Sequence, residues 1–190
     1  PCILSITNRD PDFPAIEFLR VSGGMFLDMS IHDFDMARYQ VGDVEEIYAT
    51  GSVLLNPALE EFGDIDTNVI TLKFKNGTYG MINNSRKAVY GYDQRLEVFC
   101  SNGTAMAENE RETTIQKGDP NGFQSAKLPF FFIQRYAQCY IDEVREFVEC
   151  VRDDKPVPTT GEDGRKAVVL GHAAWRSLHE NRPVKIAEFD

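Results

Sequence analysis

The sequence predicts an α+β fold: an open, mainly antiparallel or mixed β-sheet with helices packed on one face. Two observations carry that reading. The middle of the chain holds short segments rich in branched and aromatic residues, punctuated by Asn76-Gly77 and Ser101-Asn102-Gly103, which is how antiparallel strands and hairpins are written. On either side lie longer stretches, residues 25–41, 130–152 and 161–180, with the punctuation or the period of helices. No internal repeat, low-complexity tract or linker marks a second domain, so the 190 residues read as one.

Taken in order, residues 2–7 (CILSIT) are an apolar run of strand length, broken by Asn8-Arg9-Asp10-Pro11 and then by Pro14. Ser22-Gly23-Gly24 introduces a helix over residues 25–41, which Gly42 ends. Strands follow at residues 44–55 and 67–74; Asn76-Gly77 turns the chain into a return strand at 78–84. A further strand at 95–100 continues as a meander through 104–108 and 113–116, and 117–129 is a polar loop holding two prolines. Over residues 130–152, Ile133, Ala137, Tyr140, Ile141, Val144, Phe147, Val148 and Val151 fall on one helical arc. A last helix spans 161–180, and 184–187 closes the chain as a strand.

Bulk properties exclude several function classes. A formal charge of -10 with scattered Lys and Arg leaves no electrostatic footprint for nucleic acid or an anionic membrane. No apolar run reaches the roughly 18 residues that span a bilayer, and no start resembles a signal peptide. Cys2, Cys100, Cys139 and Cys150 are far apart in sequence and form no CxxC pair, which reads as reduced, mostly buried thiols of a cytoplasmic protein. The chain starts Pro1-Cys2-Ile3 without a methionine, so it is expected to be a fragment.

Within residues 25–41, Asp28, His32, Asp35 and Tyr39 are four, three and four apart and share one narrow helical stripe. Leu27, Ile31 and Phe34 border it on one side, and Met25, Met29 and Met36 on the other, so the stripe is expected to be partly buried. Buried carboxylates need compensation, and the imidazole is the expected partner; a buried Asp-His pair is also a candidate for proton transfer. Two other readings stand beside that one: a core histidine satisfied by Asp28 or Asp35 without chemistry, and an Asp-His metal pair. His172 and His179, seven apart, carry no carboxylate motif, and there is no HExxH.

The run Gly23-Gly24-Met25-Phe26-Leu27-Asp28-Met29-Ser30-Ile31-His32-Asp33-Phe34-Asp35 resembles the GG-x3-D-x3-H-x2-D helix of the Gfo/Idh/MocA oxidoreductases, and most nearly that of their inositol 2-dehydrogenases. Asn8-Arg9-Asp10-Pro11, Asn83-Asn84-Ser85-Arg86, Tyr90-Gly91-Tyr92-Asp93-Gln94-Arg95 and Gly161-Glu162-Asp163-Gly164-Arg165-Lys166-Ala167 extend the similarity over essentially the whole chain. The resemblance implies that residues 1–190 are the C-terminal substrate-binding and oligomerisation domain of such an enzyme. It also implies a Rossmann domain with a G-x-G-x-x-G loop and a Glu-Lys-Pro motif, and neither pattern occurs here. NAD or NADP is therefore expected only in the full-length enzyme, and the fragment alone is expected to bind none and to be inactive.

For the full-length enzyme the resemblance implies oxidation of a cyclitol hydroxyl, with His32 as general base and Asp28 orienting it. Asp35 would accept hydrogen bonds from the polyol, an ion pair to a nearby Arg being the alternative. Tyr90 and Tyr92 alternate about Gly91, which in an extended segment puts both phenols on one face towards a polyol; two core aromatics are the other reading. Asn83 and Asn84 could hydrogen-bond hydroxyls or a nicotinamide ribose, but at a strand end they read more readily as turn residues. The second sheet face is expected to pair with another subunit in a homo-dimer or homo-tetramer, through residues 44–55, 67–74 and 95–100. The competing functions are a non-catalytic binding or dimerisation domain and a dehydrogenase for another sugar or a dihydrodiol.

Overall fold

The computed structural model describes residues 2–189. Nine strands form: β1 (Cys2–Arg9), β2 (Val44–Ser52), β3 (Thr67–Phe74), β4 (Tyr79–Ser85), β5 (Asp93–Cys100), β6 (Gly103–Ala107), β7 (Gln116–Asp119), β8 (Gly122–Ser125) and β9 (Val184–Lys185). Six α-helices accompany them: α1 (Ile16–Leu19), α2 (Met25–Asp28), α3 (Ser30–Val41), α4 (Phe132–Arg135), α5 (Ala137–Asp153) and α6 (Gly161–Glu180). The sheet is open and seven-stranded, in the order β6-β5-β1-β4-β3-β2-β9. β1 and β4 run parallel and the remaining pairs antiparallel, so the predicted α+β fold with a mixed sheet is what forms.

Period two decides which face is covered. Leu4 and Ile6 of β1, Ile70, Leu72 and Phe74 of β3, and Ile82 of β4 are fully buried under α2, α3 and α6 together with Met25, Phe26 and Phe34. α6 approaches on a face of small residues that includes Ala167, Gly171, Ala173 and Ala174. On the other face Ile3, Val69, Tyr79, Met81, Phe99 and Met106 stay 44–58% exposed.

Several sequence expectations are corrected. The helix over 25–41 breaks at Met29 (φ -104°, ψ -58°) into α2 and α3, a break that a methionine does not announce. Residues 113–125 leave the meander: β7 and β8 pair with each other as a separate two-stranded sheet inside the stretch read as loop. The arc of α5 is helical but unburied, with Ile141, Val144, Phe147, Val148 and Val151 each more than half exposed. Cys2 and Cys100 are joined in a disulfide rather than reduced. They stand opposite each other in the β1/β5 register, Cα atoms 4.3 Å apart, although 98 residues separate them in sequence. Cys139 and Cys150 are free, and Cys139 is exposed.

One polar feature interrupts the covered face. The registers Asn8↔Gln94, Asn8↔Asn84 and Asn68↔Asn84 line up four amides in a single row across β5, β1, β4 and β3. α3 lies over that row. Asp33, 1% exposed, accepts from Gln94 Nε2 (3.1 Å) at Oδ1 and from Asn8 Nδ2 (3.1 Å) and Asn84 Nδ2 (2.7 Å) at Oδ2. Ser30 Oγ donates to Asn84 Oδ1 (2.6 Å) and accepts from Asn68 Nδ2 (3.2 Å). Burial pushes the Asp33 carboxyl up to about 6, while the donated hydrogen bonds and the His32 ring hold it down.

α2 is fixed by a glycine. Gly24 has φ 78° and ψ 179°, a region nearly confined to glycine, and a Cβ there would lie 2.6 Å from the Trp175 ring and 2.9 Å from Asp64 Oδ1. The next backbone N–H, that of Met25, donates to Asp64 Oδ1 at 2.9 Å.

Two stability measurements follow from these contacts. Gly24→Ala combines backbone strain with a clash and should cost about 2–4 kcal/mol, read as a melting temperature lower by roughly 5–15 °C. For Asp33, the folded carboxyl titrates near 6 against an ordinary 3.8, so the folded state binds more protons between those values. Its contribution is complete below the ordinary value and is lost as pH rises through about 6. Urea unfolding should therefore show wild type losing roughly 2–3 kcal/mol relative to Asp33→Asn between acid and neutral pH; parallel profiles for the two proteins would contradict this.

Candidate active site

Asp28 is the last residue of α2, and α3 begins two residues later with Ser30, placing His32 and Asp33 in its first turn. Gly24 and Asp64 fix α2, the amide row fixes α3, and the Asp28–His32 spacing is set by both. The compensation expected from His32 comes instead from Arg86, just after β4. Arg86 Nη2 donates to Asp28 Oδ2 at 2.5 Å and Nη1 to Asp10 Oδ2 at 3.2 Å, and its side chain is only 3% exposed. Among the described residues no hydrogen bond joins Asp28 to His32. A guanidinium can hold two carboxylates at its two terminal nitrogens, whereas a neutral imidazole has a single N–H to donate.

His32 is exposed at the surface of α3, so only the Asp28 end of the expected buried stripe is sheltered, and Tyr39 at its far end is 82% exposed. The ring exerts a small electrostatic pull on both Asp10 and Asp33. Burial pushes the Asp10 carboxyl up; Arg86 and His32 pull it the other way.

Asp35 forms the ion pair offered as its alternative: Oδ1 is 3.7 Å from Arg38 Nη1, and Arg38 also meets Asp43 and Asp163. The two tyrosines are not on one extended face. Ala88 to Gly91 is a turn closed by the Gly91 N–H donating to Ala88 O, with Gly91 at φ 116°. The Tyr90 hydroxyl accepts from Arg9 (3.0 Å) and donates to Asp93 (2.6 Å). Asp93 and Gln94 are consecutive on β5 and point to opposite faces; Gln94 reaches Asp33 under α3, so Tyr90, Arg9 and Asp93 belong to the uncovered face. There Tyr90 lines an open groove of about 1020 Å³ with Arg95, Arg111 and Phe130. Tyr92 is buried edge-to-face against Tyr136, and burial pushes its hydroxyl up, with the nearby Tyr136, Asp10 and Asp33 adding to the rise. The structure thus gathers Asp10, Asp28, His32, Asp33, Arg86 and Tyr92, and sets Asp35 and Tyr90 apart.

Asp33, Arg86, Asn8 and Gln94 were not singled out by sequence reasoning. Asn84 is not a turn residue but a buried strand residue. A signal existed: Leu4-Ile6-Asn8 and Ile82-Asn84 continue an apolar period-two pattern with an amide in a core position. Asn83, on the other face, is bound to Thr7 and Arg9.

Among the described residues, no group of three or more His, Cys, Asp or Glu is arranged to hold a metal ion. A dinucleotide pyrophosphate needs a glycine-rich turn opening a helix of useful length. Here the paired glycines Gly23-Gly24 precede a four-residue helix and close against Leu27, Trp175 and Asp64, so these residues do not fit that group. No helix among the described residues is long and apolar enough to cross a membrane.

Comparison with known proteins places this geometry. Myo-inositol 2-dehydrogenase of Thermotoga maritima is 50% identical over 189 residues, 99% of this chain and 57% of that protein. Inositol 2-dehydrogenase of Rhizobium meliloti is 39% identical over 186 residues, 97% of this chain and 56% of that protein. The crystal structure of a probable dehydrogenase from Thermotoga maritima matches with a TM-score of 0.95 at 50% identity, covering 98% of this chain and 57% of that one. The chain thus spans little more than half the length of these relatives. The model of the oxidoreductase family, C-terminal alpha/beta domain, matches residues 17–186. With that match over most of its length, the chain belongs to the Gfo/Idh/MocA oxidoreductase family, of which it carries the C-terminal α/β domain.

Proposed function

We propose that this chain is the polyol-binding portion of an NAD(P)-dependent dehydrogenase that oxidises a secondary hydroxyl of a cyclitol, with myo-inositol to 2-keto-inositol the first candidate. One observation carries the reading: an exposed imidazole, His32, directly precedes the buried Asp33 and follows Asp28 by four residues, on a helix turn locked to the sheet. The 50% identity to a protein named myo-inositol 2-dehydrogenase supports the cyclitol.

Oxidising a secondary alcohol removes a proton from oxygen and a hydride from carbon. His32 takes the proton at a ring nitrogen. Asp28, four residues earlier, presents a carboxylate held by Arg86 at one oxygen. Its other oxygen has no hydrogen-bond partner among the described residues and accepts from His32 or from a hydroxyl. The Tyr92 hydroxyl donates to substrate only by giving up its bond to Tyr136. Asp35 and Tyr90 reach substrate only by giving up Arg38 and the Arg9–Asp93 pair, respectively. The hydride acceptor, the nicotinamide of NAD or NADP, is assigned to the part of the relatives' length that this chain does not span, and these residues contribute no step to that half.

The uncovered sheet face supports self-association, because Ile3, Val69, Tyr79, Met81, Phe99 and Met106 leave it partly apolar between polar neighbours. A homo-dimer or homo-tetramer through that face is the proposed assembly.

The tests use a full-length form carrying this chain, assayed with NAD and NADP against cyclitols, aldoses and a dihydrodiol. His32→Ala should lower kcat about 10²- to 10⁴-fold with myo-inositol; unchanged turnover would remove His32 as the base, and preference for a non-cyclitol would replace the substrate. Light scattering should give a dimer or tetramer for wild type and a smaller species for Val69→Asp/Met81→Asp. A monomeric wild type would refute the sheet-face assembly.

A further inference from the structure

Arg86 is the one cation within hydrogen-bonding reach of both Asp10 and Asp28 among the described residues. Its backbone is pinned at the sheet, where its N–H donates to Asp66 O at 2.9 Å. Asp10, at the end of β1, is pinned one strand over by its own N–H to Ser85 O at 3.0 Å. Asp28 hangs from α2. The guanidinium therefore ties the sheet to the helix that carries the site, gripping one Oδ2 on each side. Its Nε is buried without a hydrogen-bond partner, so both bonds come from the terminal nitrogens and the group's position is set by the two carboxylates alone. The carboxylates remain 16% and 19% exposed, and each keeps Oδ1 without a hydrogen-bond partner among the described residues. Removing the cation would leave two like charges, partly buried, with Asp28 pushing the Asp10 carboxyl further up.

We propose that Arg86 is a positioning residue for this site: its two-ended grip sets where Asp28 and Asp10 present their free oxygens beside His32. The proposal rests on the reading of Asp28 and His32 given above. It assigns Arg86 no contact with substrate; it acts through the two carboxylates. A lysine carries the same charge on a compact head and does not reproduce the planar fork that sets the two carboxylates relative to each other.

The experiment is a double-mutant cycle on kcat/KM in the full-length form, with Arg86→Lys, Asp28→Asn and the pair, alongside His32→Ala. Arg86→Lys alone should lose about ten- to a hundredfold. In the Asp28→Asn background the same change should cost at least about threefold less than in wild type, because of the two residues it positions only Asp10 remains. A merely structural role predicts a full, additive loss in both backgrounds, and that result, or wild-type kinetics for Arg86→Lys, overturns the proposal. If Arg86→Lys does not fold, Asp10→Asn loosens the grip from its exposed end: a several-fold loss in kcat/KM supports the proposal and unchanged kinetics overturn it. The parent reading fails differently, by His32→Ala and Asp28→Asn both retaining full turnover.

Discussion

A single buried carboxylate organises the functional face. Asp33 sits under α3 where the sheet offers it three amide donors, and a charge so placed is tolerable only while all three are in position. The constraint is geometric as well as energetic. Sliding α3 by two residues along β1 or β4, or slipping either strand by two, would set Asp33 against Ile6 or Ile82. The arrangement is not free of cost: Asn8 Oδ1 and Asn68 Oδ1 are buried without partners, because Asp33 accepts and does not donate and the Ser30 hydroxyl gives its proton to Asn84. What the row stabilises is one placement of the helix, and His32 is the residue before the anchored one.

The second element of the site comes from a different source of rigidity. α2 is held by Gly24 against Trp175 and by Asp64 at its first N–H, and the break at Met29 lets α2 and α3 take independent anchors. Asp28 and His32 are thus brought together by two fixed segments rather than by one continuous helix. Between them Arg86 supplies the charge that lets Asp10 and Asp28 coexist at the rim, so the site has a net acidic character with one imidazole in it. Such a surface suits a neutral, hydroxyl-rich ligand, which offers donors to carboxylates and carries no charge for them to repel.

Much of this was legible in the sequence, and what was hidden has a common cause. The fold class followed from period and punctuation, and β3 and α6 came out with their observed ends because Asn76-Gly77 and Thr160-Gly161 mark them chemically. Asp28 and His32 were visible as a stripe, and the family motif gave the stripe a meaning. Asp33 was missed because it lies on the helix face opposite to water, where its partners come from three strands whose pairing no local pattern states. The Cys2–Cys100 disulfide and the Arg86 clamp were hidden in the same way, by register between segments about 60 to 100 residues apart. Tyr90 was misplaced because Gly91 with a positive φ makes a turn where alternation presumed an extended strand. In α5 the period was read correctly, but period alone does not say what an apolar arc rests against.

The central claim is that polyol is bound on the helix side of the sheet, at His32 and the Arg86-held carboxylates, and not in the groove beside Tyr90. Titrating myo-inositol into isotope-labelled full-length protein, with NMR observation of histidine rings and side-chain carboxyls, tests it most directly. The account predicts that His32, Asp10 and Asp28 shift together with one saturating affinity while Asp93, in the groove with Tyr90 and Arg95, does not move. Shifts concentrated at Asp93, with His32 silent, would contradict it.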